Sequence, residues 1–523
     1  MGKQSFIHGA MILLAAGIIN RMLGFVPRIV LPRIIGAEGV GLYQMGYPLL
    51  IVLLTLITGG IPLAVAKLVA EAESRKDEQR IRVVLSAALL ISTGLSFLFF
   101  VGILLSGEWI ATHLFTDRRV HYTFIAMSPI LILVALSSVY RGYFQGRHNM
   151  IPTASSQIAE TLVRTVTALL LAYWLLPYGI HIAAAGAMSG VMLGEFFGLL
   201  VLLLHFKIHK TKELTEWSER FRTAGAIKPR SAIRQLLDIS VPVTGSKLVG
   251  SGSYFLESIM IIQSLAAAGI ATAVATAQYG ALQGMVIPIL LLPNALTYSL
   301  AISLIPSLSE AAARKDFRTI HKRLHQSLRL ALVTGAPFAV IMFVLADPLC
   351  YFLYHDNEVG GMLKMMAPVA LFIYFQGPLQ AALQALDRPG TALLNTFVGA
   401  SIKLVLIVLL ATKPQFGIIG AVFAISMNIV LVTLLHWNSV SRLLNFSMRT
   451  SDFGKVGLGM LLMGAACYMI MHSPWTSQSF VRFAASCSGG LLLYLFLMMR
   501  FKLIDKFDLL RIPWIGKLIF KWL

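Results

Sequence analysis

Fourteen long apolar stretches, each with few charged residues, follow one another along this 523-residue chain. They lie near 8–31, 42–67, 82–106, 121–145, 154–176, 182–206, 236–266, 275–304, 325–347, 361–386, 391–412, 417–438, 454–472 and 480–500. A helix crosses the hydrocarbon of a bilayer with about 20 apolar residues. The expected fold is therefore an all-α membrane protein of about 14 transmembrane helices. With 57% apolar and only 13% charged residues, no room is left for a large catalytic domain outside the bilayer. The first stretch follows Lys3 as a secretion signal would, but Arg21 and Arg28 interrupt it and no small-residue cleavage site follows. It is read as a retained span.

The net charge of +20 could suggest nucleic acid, yet the basic residues lie in loops between apolar spans and suit an anionic membrane leaflet instead. If the N-terminus is cytoplasmic, 32 of the 43 Lys and Arg fall on the cytoplasmic side, 6 on the opposite side and 5 inside spans. Both termini are thus expected in the cytoplasm, which requires an even number of spans. Cys350, Cys467 and Cys487 are far apart, so they read as packing residues rather than a disulfide framework or a metal site.

A repeat divides the chain. Glu71-Ala72-Glu73-Ser74-Arg75-Lys76-Asp77 recurs as Glu310-Ala311-Ala312-Ala313-Arg314-Lys315-Asp316, an offset of 239. The same offset relates Gln145 to Gln384 and Arg164 to Lys403. Six spans separate the copies, so they keep one orientation and form parallel repeats about the membrane normal. The expected organisation is an N-lobe over 1–206, a basic amphipathic cytoplasmic linker over 207–235 and a C-lobe over 236–440. A pair of extra spans over 441–500 and an amphipathic cytoplasmic tail over 501–523 complete it. Trp217 and Phe221 mark the linker, and Leu503, Phe507 and Leu510 mark the tail, as segments lying at the interface.

No nucleotide-binding loop, zinc helix or nucleophile elbow is present, and the acids expected on the outer side, Glu108, Asp117, Asp347, Asp356 and Glu358, form no pair suited to glycosyl transfer. An enzyme and a cofactor are not expected. What the sequence offers instead is charge at membrane depth: Arg21, Arg28, Arg164, Lys247 and Lys403. Each costs about 2.5–3.5 kcal/mol to insert, so each should face a wet cavity or a partner. Arg21 and Arg28 are seven apart, on one helical face. Glu160, Glu195 and Glu257 are candidate counter-ions or coupling sites, and Glu160 can pair with Arg164 one turn away. A mostly cationic cavity suits an anionic, phosphate-bearing substrate, because guanidinium forks bind phosphate bidentately. Gln376 and Gln380, beside Tyr374 and Phe375, could meet a sugar or serve helix packing.

At these residues the chain resembles the multidrug/oligosaccharidyl-lipid/polysaccharide (MOP) exporter superfamily. Arg21-Met22-Leu23-Gly24-Phe25 is similar to the first-span motif of the MurJ/MviN lipid II flippases. The segments Gly36-Ala37-Glu38-Gly39-Val40-Gly41-Leu42-Tyr43, Tyr140-Arg141-Gly142-Tyr143-Phe144-Gln145-Gly146-Arg147 and Tyr374-Phe375-Gln376-Gly377-Pro378-Leu379-Gln380 look like those of a sporulation branch of the same superfamily. The resemblance implies two pseudo-symmetric six-helix lobes in a V, a central cavity open alternately to each face, and two extra C-terminal helices able to hold a lipid tail. It also implies an undecaprenyl-pyrophosphate-linked saccharide, lipid II-like, as cargo. The setting would be the bacterial cytoplasmic membrane and the membranes around the forespore, with cell-wall synthesis proteins as partners and peptidoglycan of the spore cortex as the product. Arg21 takes the place of a functional arginine in those flippases. This chain departs from them in placing Pro27 where a second arginine is expected, with Arg28 one residue on, and in following Pro48 with Leu49-Leu50-Ile51-Val52 rather than an arginine. Two other readings stay open: a drug/ion antiporter on the same fold, which would favour an acidic, aromatic cavity, and a non-transporting scaffold for cell-wall enzymes.

Overall fold

The computed structural model describes residues 6–216, 229–356 and 358–503, and among these it is helical with no strand. The helices are α1 (Phe6–Thr58), α2 (Ile61–Ser74), α3 (Glu78–His113), α4 (Val120–Gly146), α5 (Ile151–Leu175), α6 (Ile180–Glu216), α7 (Pro229–Ala267) and α8 (Thr272–Gly280). A π-helical turn over Ala281–Val286 leads to α9 (Ile287–Leu291), α10 (Asn294–Ala313), α11 (Phe317–Val344), α12 (Ala346–Tyr354) and α13 (Val359–Met366). Then come α14 (Ala370–Ala385), α15 (Pro389–Ala411), α16 (Ile418–Leu444), α17 (Thr450–His472) and α18 (Ser479–Arg500). The residues expected in the linker at Trp217 and Phe221, and most of the tail beyond Leu503, lie outside the described residues.

Twelve helical stretches among the described residues are long and apolar enough to cross a membrane, against fourteen expected. Two features account for the difference. The first two expected spans run together through Met11–Ser74. The seventh is α7, which is long enough but is diluted by Asp238, Lys247, Glu257 and many Ser and Gly.

A straight helix of 53 residues would be about 80 Å long, well over twice a bilayer core. The chain breaks α1 at Gly36, whose φ of 66° and ψ of 178° belong to a region open essentially to glycine alone. Prolines lie inside α1 and several other helices, and each frees the carbonyl four residues earlier. At three of them a hydroxyl supplies the lost donor, as lipid requires. Thr165 on α5 donates to Leu23 O, freed by Pro27, at 3.3 Å. Ser128 donates to Ile125 O, freed by Pro129, at 2.9 Å. Tyr494 on α18 donates to Val333 O, freed by Pro337, at 3.0 Å.

The repeat is visible in the backbone. Lys76 and Lys315, 239 apart, both take positive φ, 57° and 54°. After each, the third residue past the helix donates back to the same relative carbonyl: Asp77 N to Ala72 O and Asp316 N to Ala311 O, both 2.9 Å. Each aspartate then caps the next helix, accepting from Arg80 N and from Thr319 N. The offset recurs at His148 and Asp387, and at Thr116 and His355, all with positive φ. Arg164 and Lys403 sit on the equivalent helices α5 and α15.

The chain forms two compact units, Met1–Gly284 and Met285–Leu523. In the first, α6 carries Gly186, Gly190, Gly194 and Gly198 at four-residue spacing, a ladder that lets α5 approach backbone to backbone. A Cβ at Gly194 would stand 2.6 Å from Arg164 Cβ and 2.7 Å from Glu160 O. Gly194→Val should therefore separate α5 from α6 and lower stability by about 1–3 kcal/mol. Unfolding of the purified variant in detergent checks this, and an unchanged transition would mean that the ladder tolerates a side chain. In the second unit the two C-terminal helices join the core: Val456, Met463 and Cys467 of α17 and Tyr494 and Met498 of α18 are buried with Leu328, Val333 and Val340 of α11.

Candidate functional site

A charged, largely buried cluster of the first unit centres on Glu160, near the middle of α5. Glu160 Oε2 accepts from Arg141 Nη2 of α4 at 2.7 Å, and its Oε1 accepts from Arg164 Nη1 at 3.3 Å. One carboxylate therefore serves two guanidinium groups. Glu195, on α6 beside Gly194, lies close to Glu160, and its Oε2 is buried with no hydrogen-bond partner. Two carboxylates and two guanidiniums share this space, and the glycine ladder sets the helix spacing that brings them together.

The expected Glu160–Arg164 pair is present. Arg141 belongs to it as well, although its position near a span end, after Tyr140, marked it only as a loop cation. On α1 beyond the Gly36 break, Tyr43 and Tyr47 stand one turn apart with their hydroxyls 2.8 Å from each other. Arg28 and Arg164 both lie within electrostatic range of this pair, and Arg28 is also near Tyr254 of α7. Arg21 and Arg28 are both exposed on α1. The tyrosine pair was not singled out in the sequence, though a Tyr-x-x-x-Tyr spacing following Gly41 is a helical signal that could have found it.

Lys247 is exposed on α7 and donates from Nζ to Gly59 O at 2.7 Å, at the break between α1 and α2. Next to it, Gly60 N donates to Thr244 Oγ1 at 3.0 Å. Glu257, also on α7, is buried, and its Oε1 accepts from Gln283 Nε2 of the π-helical turn at 3.2 Å.

The glycine-rich segment after α1's break makes a second polar knot in this unit. Gly41 meets Thr276 of α8 so closely that no Cβ would fit. Glu38 accepts from Arg119 Nη1 at 2.6 Å, and Arg119 grips Asp117 with two further bonds of 3.0 and 2.9 Å. Thr276 Oγ1 completes the knot, donating to Asp117 Oδ2 at 2.8 Å. Burial by itself would raise the Asp117 carboxyl, but the donors on Arg119 and Thr276 outweigh it and hold it below the usual carboxylate value. A depressed folded pKa stabilises above the unfolded value, about 3.9, and that contribution fades as pH falls through and below it. The melting temperature should thus fall between about pH 5 and pH 3, and Asp117→Asn should flatten that slope while lowering the neutral-pH value. An acid slope unaltered in Asp117→Asn would assign it to other carboxylates.

In the second unit Lys403 is buried on α15. Gln376 is engaged in packing: its Nε2 donates to Ile429 O at 3.1 Å and to Thr433 Oγ1 at 3.0 Å, joining α14 to α16. Gln380 is exposed, one turn further along α14. Asn395, on the same helix as Lys403, donates to Ser439 Oγ at 3.0 Å and lies 3.1 Å from His436 Nδ1. Of the three cysteines, Cys350 and Cys467 are buried and Cys487 is half-buried.

A duplicated bundle with twelve helical stretches of membrane-spanning length and apolarity among the described residues is the architecture of a multi-pass membrane protein. The family described as Polysaccharide biosynthesis protein matches residues 6–312, more than half of the chain, and the MatE family matches 251–409. The chain belongs to the polysaccharide biosynthesis protein family of the MOP exporter superfamily. It is 41% identical to stage V sporulation protein B of Bacillus subtilis (strain 168) over 522 residues, 100% of both chains. It is 25% identical to the lipid II flippase MurJ of the same organism over 86% of this chain and 84% of that one. Among solved structures, lipid II flippase MurJ in an inward closed conformation shares the fold, with a TM-score of 0.70 at 16% identity, covering 94% of this chain and 98% of that one.

Proposed function

We propose that the protein flips an undecaprenyl-pyrophosphate-linked saccharide, a cell-wall precursor of the lipid II type, across the bacterial cytoplasmic membrane, both termini being cytoplasmic. The observation that carries this reading is that Arg28 and Arg164 both lie within electrostatic range of the Tyr43–Tyr47 hydroxyl pair, with Arg21 two turns before Arg28. Two cations in range of neutral hydroxyl donors suit a pyrophosphate, which brings two or more negative charges and several acceptor oxygens. Arg164 is already shared with Glu160, so it supplies field and position, while Arg21 and Arg28 on the exposed face of α1 meet the headgroup first. The saccharide follows into the cavity while the polyprenyl tail stays in lipid, so only the polar part needs a wet path. The 41% full-length identity to a sporulation protein supports peptidoglycan of the spore cortex as the destination and the forespore membranes as the place.

The decisive experiment is flipping in proteoliposomes, comparing lipid II, other polyprenyl-pyrophosphate sugars and a cationic drug. Flipping of a pyrophosphate-linked lipid is expected, with no drug uptake. Movement of the drug alone would establish the antiporter reading, and movement of neither would favour the scaffold.

A further inference from the structure

Lys247 is an expected cavity cation whose hydrogen-bond partner is a backbone carbonyl at a helix break. The carbonyl of Gly59 lies in the two-residue gap between Thr58, where α1 ends, and Ile61, where α2 begins. Pro62 follows at the start of α2, so this is a place where the backbone cannot satisfy itself. Two side chains of α7 complete it. Lys247 Nζ donates to Gly59 O at 2.7 Å, and Thr244 Oγ1 accepts from Gly60 N at 3.0 Å. Gly60 has no space for a Cβ because Ser240 O of α7 occupies it, and a Cβ on Gly59 would stand 2.9 Å from Thr244 Oγ1. Toward their cytoplasmic ends the same helices continue in contact, with Leu236 and Ala232 of α7 buried among Ile61, Val65 and Leu68 of α2. By the repeat, α2 belongs to the first copy and α7 to the second.

The chemistry of this contact is asymmetric. Thr244 makes a neutral hydrogen bond that substrate has no means to improve. Lys247 places a full positive charge on a neutral carbonyl, with two of its three ammonium donors left over, and its side chain is exposed. A phosphate oxygen is a stronger acceptor for that ammonium than a peptide carbonyl, since charge-assisted bonds are roughly twice as strong as neutral ones.

The geometry points to Lys247 as a displaceable cap: it seats α7 on the Gly59–Gly60 break while the cavity is empty, and an arriving anionic headgroup draws it off, so that substrate binding itself unseats α7 from α2. This deepens the flippase reading and rests on it for the identity of the anion. Lys247 would thus be a positioning residue whose hydrogen bond is exchanged in each cycle. A ligand shifts a conformational equilibrium only by its differential affinity for the two states, and the exchange from carbonyl to phosphate supplies such a difference.

The test uses the full chain in lipid nanodiscs, with its three native cysteines replaced by alanine and spin labels on Ser74→Cys and Arg234→Cys, exposed positions near the cytoplasmic ends of α2 and α7. Undecaprenyl pyrophosphate is the probe, and its binding is measured on the same discs. In the otherwise native protein the lipid should add a longer-distance population. Lys247→Met should show that population without lipid and gain nothing when lipid is added, while Lys247→Arg should behave as the native residue. A Lys247→Met distribution equal to the native one without lipid, or an undiminished shift with it, overturns the proposal. If undecaprenyl pyrophosphate does not bind the native protein, the pyrophosphate reading fails and displacement fails with it. Binding without any distance change sinks the cap alone.

Discussion

Glu160→Leu should destabilise the first unit by about 3–5 kcal/mol, the range for removing one partner from a buried ion pair. The side chain is only 10% exposed and holds Arg141 at 2.7 Å and Arg164 at 3.3 Å, with side chains 19% and 31% exposed. Leucine matches the volume but leaves two guanidinium groups facing each other in a low dielectric. Glu195 stands close but has to serve from the next helix, so it offsets the loss incompletely. Glu160→Gln keeps an acceptor and the shape but not the charge, and should fall between the two. Chemical unfolding in detergent, followed by tryptophan fluorescence, reads the difference. If Glu160→Leu unfolds within about 1 kcal/mol of the native protein, the two arginines do not depend on this carboxylate. Replacing both arginines by leucine in the Glu160→Leu background should recover much of the lost stability, because the uncompensated charges are then gone.

Arg28→Ala and Arg21→Ala should each lower the flipping rate by about a hundredfold or more while the protein inserts and unfolds normally. Truncating one side of a desolvated charge pair costs about 2–5 kcal/mol, and both arginines are exposed on the structure rather than buried in its packing. Arg28, near the Tyr43–Tyr47 pair and Tyr254, should be the more sensitive position for binding of the pyrophosphate itself. Lysine at either position should restore part of the rate only, since an ammonium keeps the charge but lacks the two-pronged donor geometry. The comparison needs proteoliposomes of matched protein content and a binding measurement alongside. Native rates in both alanine variants would show that the stripe on α1 is structural and that the headgroup binds elsewhere.

Much of the site was legible because charge is expensive in lipid. Arg21, Arg28, Arg164, Lys247 and Lys403 stand out in apolar windows, and the i, i+4 spacing of Glu160 and Arg164 announces their pairing. Arg141 was hidden for the opposite reason: near a span end a cation needs no explanation, and only the packing of α4 on α5 brings it to Glu160. The glycines of α6 carried a readable signal at positions 186, 190, 194 and 198, but glycine is common in such chains, and it is the contact with α5 that gives the spacing its meaning.

Lys247 shows the limit most directly. Its sequence environment marks a cation at membrane depth and suggests a cavity lining, while its hydrogen bond goes to a carbonyl 188 residues earlier in the chain. Gln376 was open between sugar and packing, and its two bonds to α16 give it a packing role.

The sequence by itself determined the features that depend on local chain chemistry: a membrane protein of helices, their approximate positions, the duplication at an offset of 239 and the cations that need partners. Those follow because the bilayer acts on each segment separately, through its length, apolarity and charge. Partner choice was decided only in three dimensions: which arginines share Glu160, which carbonyls freed by proline receive a hydroxyl, and that α7 closes the break between α1 and α2. Such pairings are set by how helices pack side by side, and lipid tails are as apolar as the helices themselves. The hydrophobic pattern therefore does not say which helix meets which, and close glycine contacts and buried hydrogen bonds do.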